Sequence, residues 1–496
     1  MPPYPGFIGA SAQSLSPSAA NERTVNFYLE RIQATYNAKS ELALYPTPGL
    51  EEFAVSATNV RGRGIFEENG RVFAVIGERL LEAAVATFGT PPPGTLNTDR
   101  GFILETISGE PVDITSNGDG GQEVAVAAAD RLYVLNLTTN LLTEALPSGA
   151  RHAVGVDGFI LVLDTSDSTL RCSNLYAATV FDPLAIEQRA SQPDPWLSLG
   201  TANSLVYVMG ERTTDVYYNA GLSPFPFQRH SGGTIPFGIA APYSRANVGE
   251  ALMWLGRNAD GMGQIVRVVG QQAEDVADFN VAAAIQGYVD AGLDLSDAVG
   301  DSFELMKHVF YVLTFPTADA TWLYDATMGK WTELLSWNSA GGVYTAWRAM
   351  WHTVGFGRHL ILDRSTGQMF TLSSSVYTED GNTIRRMRQA PTLYDGHKRF
   401  FLSELELILQ VGIGLSNPLA QGYTPEVILE KSKNNGQTWQ QCGSAKSAGK
   451  IGEYATRVHW NRLGAARDAS FRVIVTDPVA WRLIAAEITI RPGAGT

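Results

Sequence analysis

At 496 residues the chain is too long for one ordinary core, and its 45% apolar and 18% charged content excludes a disordered polymer. A net charge of −13 argues against a protein that wraps nucleic acid with a basic surface. The charge is unevenly placed, about +6 over residues 381–496 and −19 over residues 1–380, which suggests two regions with different partners.

The start of the chain, Met1 to Phe7, has neither the basic nor the apolar stretch of a signal peptide. No run of 18 apolar residues follows. The expectation is folding in a cytoplasm, with no membrane-spanning segment. Cys172 and Cys442 lie 270 residues apart without a CxxC or a Cys/His cluster, so they read as free thiols in a reducing compartment.

Taken in chain order, the first predicted element is a short helix over Thr24 to Ala34. From there short apolar runs dominate. They begin at Arg71 (RVFAVIG), Arg131 (RLYVLNL), Gly158 (GFILVLD), Ser204 (SLVYVMG), Glu250 (EALMWLG), His308 (HVFYVLT) and Arg358 (RHLILDR). Several are followed by a turn and a second strand. The spacing from Gly158 onward is 46, 46, 58 and 50 residues, the period of β-propeller blades. A single blade cannot bury both of its faces, whereas blades packed around an axis can. The stretch Thr87 to Gly120, with Pro91, Pro92, Pro93 and Gly94, interrupts the period and leaves a count of six or seven blades. A longer helix is predicted over Ala273 to Tyr288. Tyr324 to Trp331 reads as a propeller hairpin.

After about Arg388 the pattern changes to longer alternating strands at Phe400 to Val411, Glu426 to Glu430, Val458 to Trp460, Phe471 to Val475 and Leu483 to Ile490. These predict an antiparallel β-sandwich. The fold class is therefore all-β, a propeller followed by a C-terminal sandwich. The expected division is entry strands over residues 1–50, propeller over 51–388 and sandwich over 389–496.

The short motifs point to structure rather than chemistry. Ser432 to Trp439 (SKNNGQTW) follows the hairpin pattern S-x-D-x-G-x-T-W, with Asn434 in place of the aspartate, and predicts a hairpin tip in the sandwich. Asp164 to Thr169 reads as a polar turn, lacking the glycine and glutamate of a calcium loop. His352 and His359 lack a third ligand for zinc, and the other histidines (His152, His230, His308, His397 and His459) are isolated. Arg385, Arg386 and Arg388 read as a solvated strand edge. No nucleophile elbow, HExxH or phosphate loop occurs. No catalytic, cofactor-binding or metal residue is therefore assigned, and the chain is not expected to be an enzyme.

Four stretches together resemble a known family, the tail hub or nozzle proteins of short-tailed bacteriophages, also called packaged-DNA stabilisation proteins. The first is Asn26-Phe-Tyr-Leu-Glu30 followed by Tyr45-Pro-Thr-Pro-Gly-Leu50. The second is Arg189-Ala-Ser-Gln-Pro-Asp194. The third runs from Asp215-Val-Tyr-Tyr-Asn-Ala-Gly221 through Gly238-Ile-Ala240 and Gly263-Gln-Ile-Val-Arg-Val to the helix near Ala283. The fourth is Val458-His-Trp-Asn-Arg-Leu-Gly464 followed by Phe471-Arg-Val-Ile-Val and Asp477-Pro-Val479. The resemblance spans nearly the whole chain in order.

It implies a virion tail protein that forms a homohexameric ring below the portal adaptor, or head-to-tail connector. The ring would surround the DNA exit channel, retain packaged DNA until ejection and hold tail spikes or fibres. Double-stranded DNA would pass without sequence readout. The acidic body suits a channel wall that must not grip DNA. Two alternatives stand beside this reading: a receptor- or glycan-binding propeller module, and a sialidase-like glycosidase with arginines and a Tyr/Glu pair on the propeller axis.

Overall fold

The computed structural model of the chain describes all residues except 15, 17, 33–39, 57–59, 86–93, 190–193, 259, 260, 397 and 494–496. Pro91 to Pro93, Ala190 to Pro193 and His397 thus lie outside the described residues.

Among the described residues the strands from 49 to 373 form seven antiparallel blades. Blade 1 covers residues 62–102, blade 2 residues 113–146, blade 3 residues 152–188 and blade 4 residues 196–235. Blade 5 covers residues 238–275, blade 6 residues 299–333 and blade 7 residues 349–373. Six of the seven apolar runs read from the sequence are the second strand of a blade, and the Arg131 run is a third strand. Each junction between successive blades carries its own cluster of buried apolar side chains. Blades 3 and 4, for example, enclose Leu161, Leu163, Cys172 and Trp196. This is how each blade buries both faces.

The ring closes through the N-terminal strand Gly49–Ala54, which supplies the fourth strand of blade 7 by pairing antiparallel with Met369–Ser373. The 58-residue interval between the Glu250 and His308 runs contains α1 (Phe279–Asp290), the one helix among the described residues. The helix predicted from Ala273 begins later than expected, because Gln272–Asp275 pairs with Gly261–Val269 as the last strand of blade 5. Asp278 then caps the helix by accepting a hydrogen bond from Val281 N.

The helix expected from Thr24 is replaced by two strands, Asn21–Val25 and Phe27–Arg31. Between them Asn26 sits at φ 59°, where a helix cannot continue. Its backbone N–H donates to Glu333 O, its amide donates to Leu335 O and Arg385 O, and its Oδ1 accepts from Leu335 N. Distant partners, rather than local propensity, decide this segment.

The sandwich has two sheets. One orders Phe27–Arg31, Leu42–Pro46, Leu483–Pro492, Phe400–Leu409 and Val458–Ala466. The other orders Asn21–Val25, Arg386–Gln389, Asp468–Val475, Glu426–Ser432 and Gln440–Gln441. Phe27, Leu44, Leu405, Trp460, Phe471 and Trp481 belong to the core between them. The second sheet runs on into blade 6 through the parallel bridge Val25↔Glu333, reinforced by a bidentate Arg23–Glu333 ion pair.

Candidate functional site

The innermost strands of all seven blades converge on an axial cavity of about 390 Å³. Its polar lining includes Asp113 from blade 2, Arg245 and Asn247 from blade 5, Asp301 and Ser302 from blade 6, and His352 from blade 7. Asp113 is bonded by His152 Nδ1 at 2.8 Å and by Arg245 Nη2 at 2.5 Å. Burial pushes its pKa upward, but the Arg245 and His152 contacts outweigh this and hold the carboxyl at about 2. The imidazole of His152 is itself lowered by burial, against the pull of Asp113.

Nearby, Arg63 is fully buried and donates to the carbonyls of Glu110, Gly77 and Leu104, while Arg151 pairs with Glu110. The three arginines around this end of the axis are therefore matched to protein groups. A sialidase-like reading needs arginines directed at an anionic substrate, and these are engaged in fastening blades to one another.

Asp301 is different. One carboxylate oxygen accepts from Ser302 N at 2.8 Å, whereas Oδ2 is buried without a partner. Burial raises its pKa to about 7 against the opposing backbone N–H groups of Ser302, His352 and Trp351. Trp351 lies at φ 59°, at a break in the register between the first two strands of blade 7. The carboxyl therefore faces the backbone of a bulge.

His352 and His359 do meet, Nε2 to Nδ1 at 3.0 Å. Burial and then the neighbouring His359 lower the His352 pKa to about 4. No group of three or more His, Cys, Asp or Glu side chains is arranged to hold a metal among the described residues. Cys172 and Cys442 are both free, and burial raises the Cys172 thiol to about 12.

The Ser432 to Trp439 motif is a hairpin tip in the sandwich. Ser432 Oγ accepts from Gly436 N at 2.9 Å, Asn434 Oδ1 accepts from Thr438 N at 2.9 Å, and Gly436 takes φ 85°. Asn434 does the work expected of an aspartate at this position.

The basic cluster is not a solvated edge. Arg386–Gln389 is an interior strand, flanked by Asn21–Val25 and Asp468–Val475. Arg386 and Arg388 are both fully buried. Arg388 directs all five of its donors at Gly6, Phe7, Ala10, Thr24 and Glu22 of the N-terminal arm. Arg386 faces Glu379 and the Tyr377 ring, and burial brings its pKa down to about 10. Arg385 lies over the rings of Trp337 and Tyr344 at 4.6 and 5.1 Å. The sequence signal was present in the spacing, but the interior position of the strand depends on partners far along the chain.

A further contact fastens the arm to the propeller. His308 of blade 6 bonds Asp325 Oδ2 at 2.6 Å and Glu30 Oε2 at 3.0 Å. Burial opposes its charge, but the two carboxylates prevail and raise its pKa. A raised folded-state value gives stabilisation that is complete below the unfolded value of about 6.5 and is lost as pH rises through the folded value. The melting-temperature gap between the parent chain and His308→Gln should be widest near pH 6 and shrink toward pH 9. A gap that stays constant over this range would exclude an ionised latch.

Two family models match the chain in order. The first, described as bacteriophage P22 Gp10, beta-propeller, covers residues 25–377. The second, bacteriophage P22 Gp10, beta-sandwich, covers residues 385–491. The chain belongs to the bacteriophage P22 Gp10 family.

It is a structural protein of a podovirus tail and a component of the virion. A search of curated proteins finds no match. Among solved structures, the N-terminal domain of Nup159 is 11% identical with a TM-score of 0.40, covering 74% of this chain and 99% of that one. BamB from Moraxella catarrhalis is 9% identical with a TM-score of 0.36, covering 70% and 96%. The WD40 domain of Toxoplasma gondii coronin is 10% identical with a TM-score of 0.37, covering 70% and 85%. At these scores the likenesses carry no functional weight. No helix among the described residues is long and apolar enough to cross a membrane.

Proposed function

We propose that six copies of this tail protein form a ring at the distal end of a short tail, below the portal adaptor. The ring encloses the DNA exit path, retains packaged DNA until ejection and seats tail spikes or fibres. The observation that carries the reading is the ordered match of propeller and sandwich to the phage stabilisation family.

The axial geometry supports an exit path between copies rather than through one. The Asp113–Arg245 ion pair at 2.5 Å joins blades 2 and 5 across the axis, which leaves no bore for a duplex whose major groove alone is ~12 Å wide. The −19 charge of residues 1–380 supports a wall that lets DNA slide, since a basic wall would release counterions and grip it.

Antibody raised against the recombinant chain should decorate the distal tip of the tail on particles viewed by electron microscopy. Label confined to peripheral fibres, or none on any particle, would overturn the reading.

A further inference from the structure

We propose that the groove between the Ser432 to Trp439 hairpin and the N-terminal arm is a binding site for a neutral saccharide. This goes beyond the ring reading and does not depend on it. The groove has a volume of about 420 Å³, within the range of small-molecule sites. Its lining combines one large aromatic ring, Trp439, with the amides of Gln13, Asn21, Gln389, Asn435 and Gln437.

Asn21 points most directly to a ligand. It is 6% exposed, and its Oδ1 is buried without a partner. Its Nδ2 reaches only Ser470 Oγ, at 3.5 Å. Turning the amide over would exchange an orphaned acceptor for an orphaned donor. A hydroxyl, which donates and accepts, satisfies either arrangement once the amide, whose Oδ1 has no exposed surface in this structure, rotates toward the groove. A buried polar atom without a partner is destabilising, so the site gains from an occupant rich in hydroxyls.

Electrostatics select a neutral one. The two cations in the lining are already paired, Arg23 with Glu333 and Arg472 with Glu430, so an anion finds no free positive charge there. The Arg472 guanidinium also lies 4.4 Å from the centre of the Trp439 ring, which holds the indole in place. An indole beside several amides offers apolar contact to the C–H face of a sugar and hydrogen bonds to its edge.

The groove continues on the far side of Asn435, whose Nδ2 donates to Ser18 Oγ at 3.0 Å. A second cavity of about 540 Å³ shares Ala20, Asn21 and Asn435 with the first and is lined also by Tyr394, by Glu22, which is paired with Arg388, and by Asp468, two carboxylates that disfavour an anion. The ligand class is therefore an oligosaccharide of two or more neutral residues crossing this neck.

The test is saturation-transfer NMR on the full chain with glucose, galactose, mannose, rhamnose and N-acetylglucosamine, and with their neutral disaccharides. At least one sugar should show saturable transfer, with a disaccharide bound more tightly than its monomer. Trp439→Ala should weaken binding at least tenfold. Because Trp439 also packs against Arg472, Gln437→Trp, an exposed change that fills the groove, and Asn21→Leu serve as second variants, each checked for an unchanged melting curve. Absence of saturable transfer from every sugar would overturn the proposal. So would transfer that survives all three variants, since the sugar would then sit elsewhere.

Discussion

Arg388→Met is expected to destabilise the chain by about 3–5 kcal/mol, the range for removing one partner of a buried ion pair. Arg388 is fully buried and uses all five of its donors. Nε donates to Phe7 O at 2.6 Å, Nη1 to Ala10 O and Thr24 Oγ1 at 2.9 Å, and Nη2 to Gly6 O at 2.8 Å and Glu22 Oε2 at 2.9 Å. Methionine preserves much of the volume but leaves three arm carbonyls and the Glu22 carboxylate without their donor. Arg388→Lys supplies at most three donors and no planar fork, so it should recover part of the loss. Denaturant melts measure the stability, and limited proteolysis reports whether residues 1–24 have come away. A loss under about 1 kcal/mol with a protected arm would show that the network is incidental to the joint.

Phe53→Ala is expected to cost about 3–5 kcal/mol, as for other buried Phe→Ala changes, and to act at the closure of the ring. Phe53 is fully buried on the strand Gly49–Ala54 that completes blade 7. Its ring stacks on Phe356 at 6.0 Å with 14° between planes. It also lies against Gly94 of blade 1, where a Cβ would come within 2.3 Å of Phe53 Cε1. The ring thus fills the junction between the last blade and the first, and alanine leaves a cavity where the circle is sealed. Equilibrium unfolding in guanidinium would show the change. Parent-like stability would mean that closure rests on the backbone pairing alone.

The apolar runs and the shift to longer alternation after Arg388 made the architecture legible because both are local patterns. A blade strand must be apolar on its buried positions wherever it sits, and a hairpin must carry its turn residues within a few positions. The Ser432 to Trp439 hairpin and the Tyr324 to Trp331 hairpin were readable for this reason. The candidate groove was only partly legible. Trp439 stands in a recognisable motif, but nothing near Asn21 in the chain announces that its amide lies against a hairpin 415 residues away.

Sequence by itself determined that this is an all-β protein of repeated blades followed by a sandwich, and that its charge is divided between an acidic body and a basic end. Tertiary structure alone decided that Asn21–Val25 and Phe27–Arg31 are strands, that the arginines near residue 388 are buried, and that residues 49–54 close the ring. It also brought seven inner strands to one axial cavity. The physical reason is the range of the interactions. Turn chemistry and strand alternation act over a few residues, whereas a strand's partner and the neutralisation of a buried charge depend on segments more than 300 residues apart, which meet only when the chain has closed on itself.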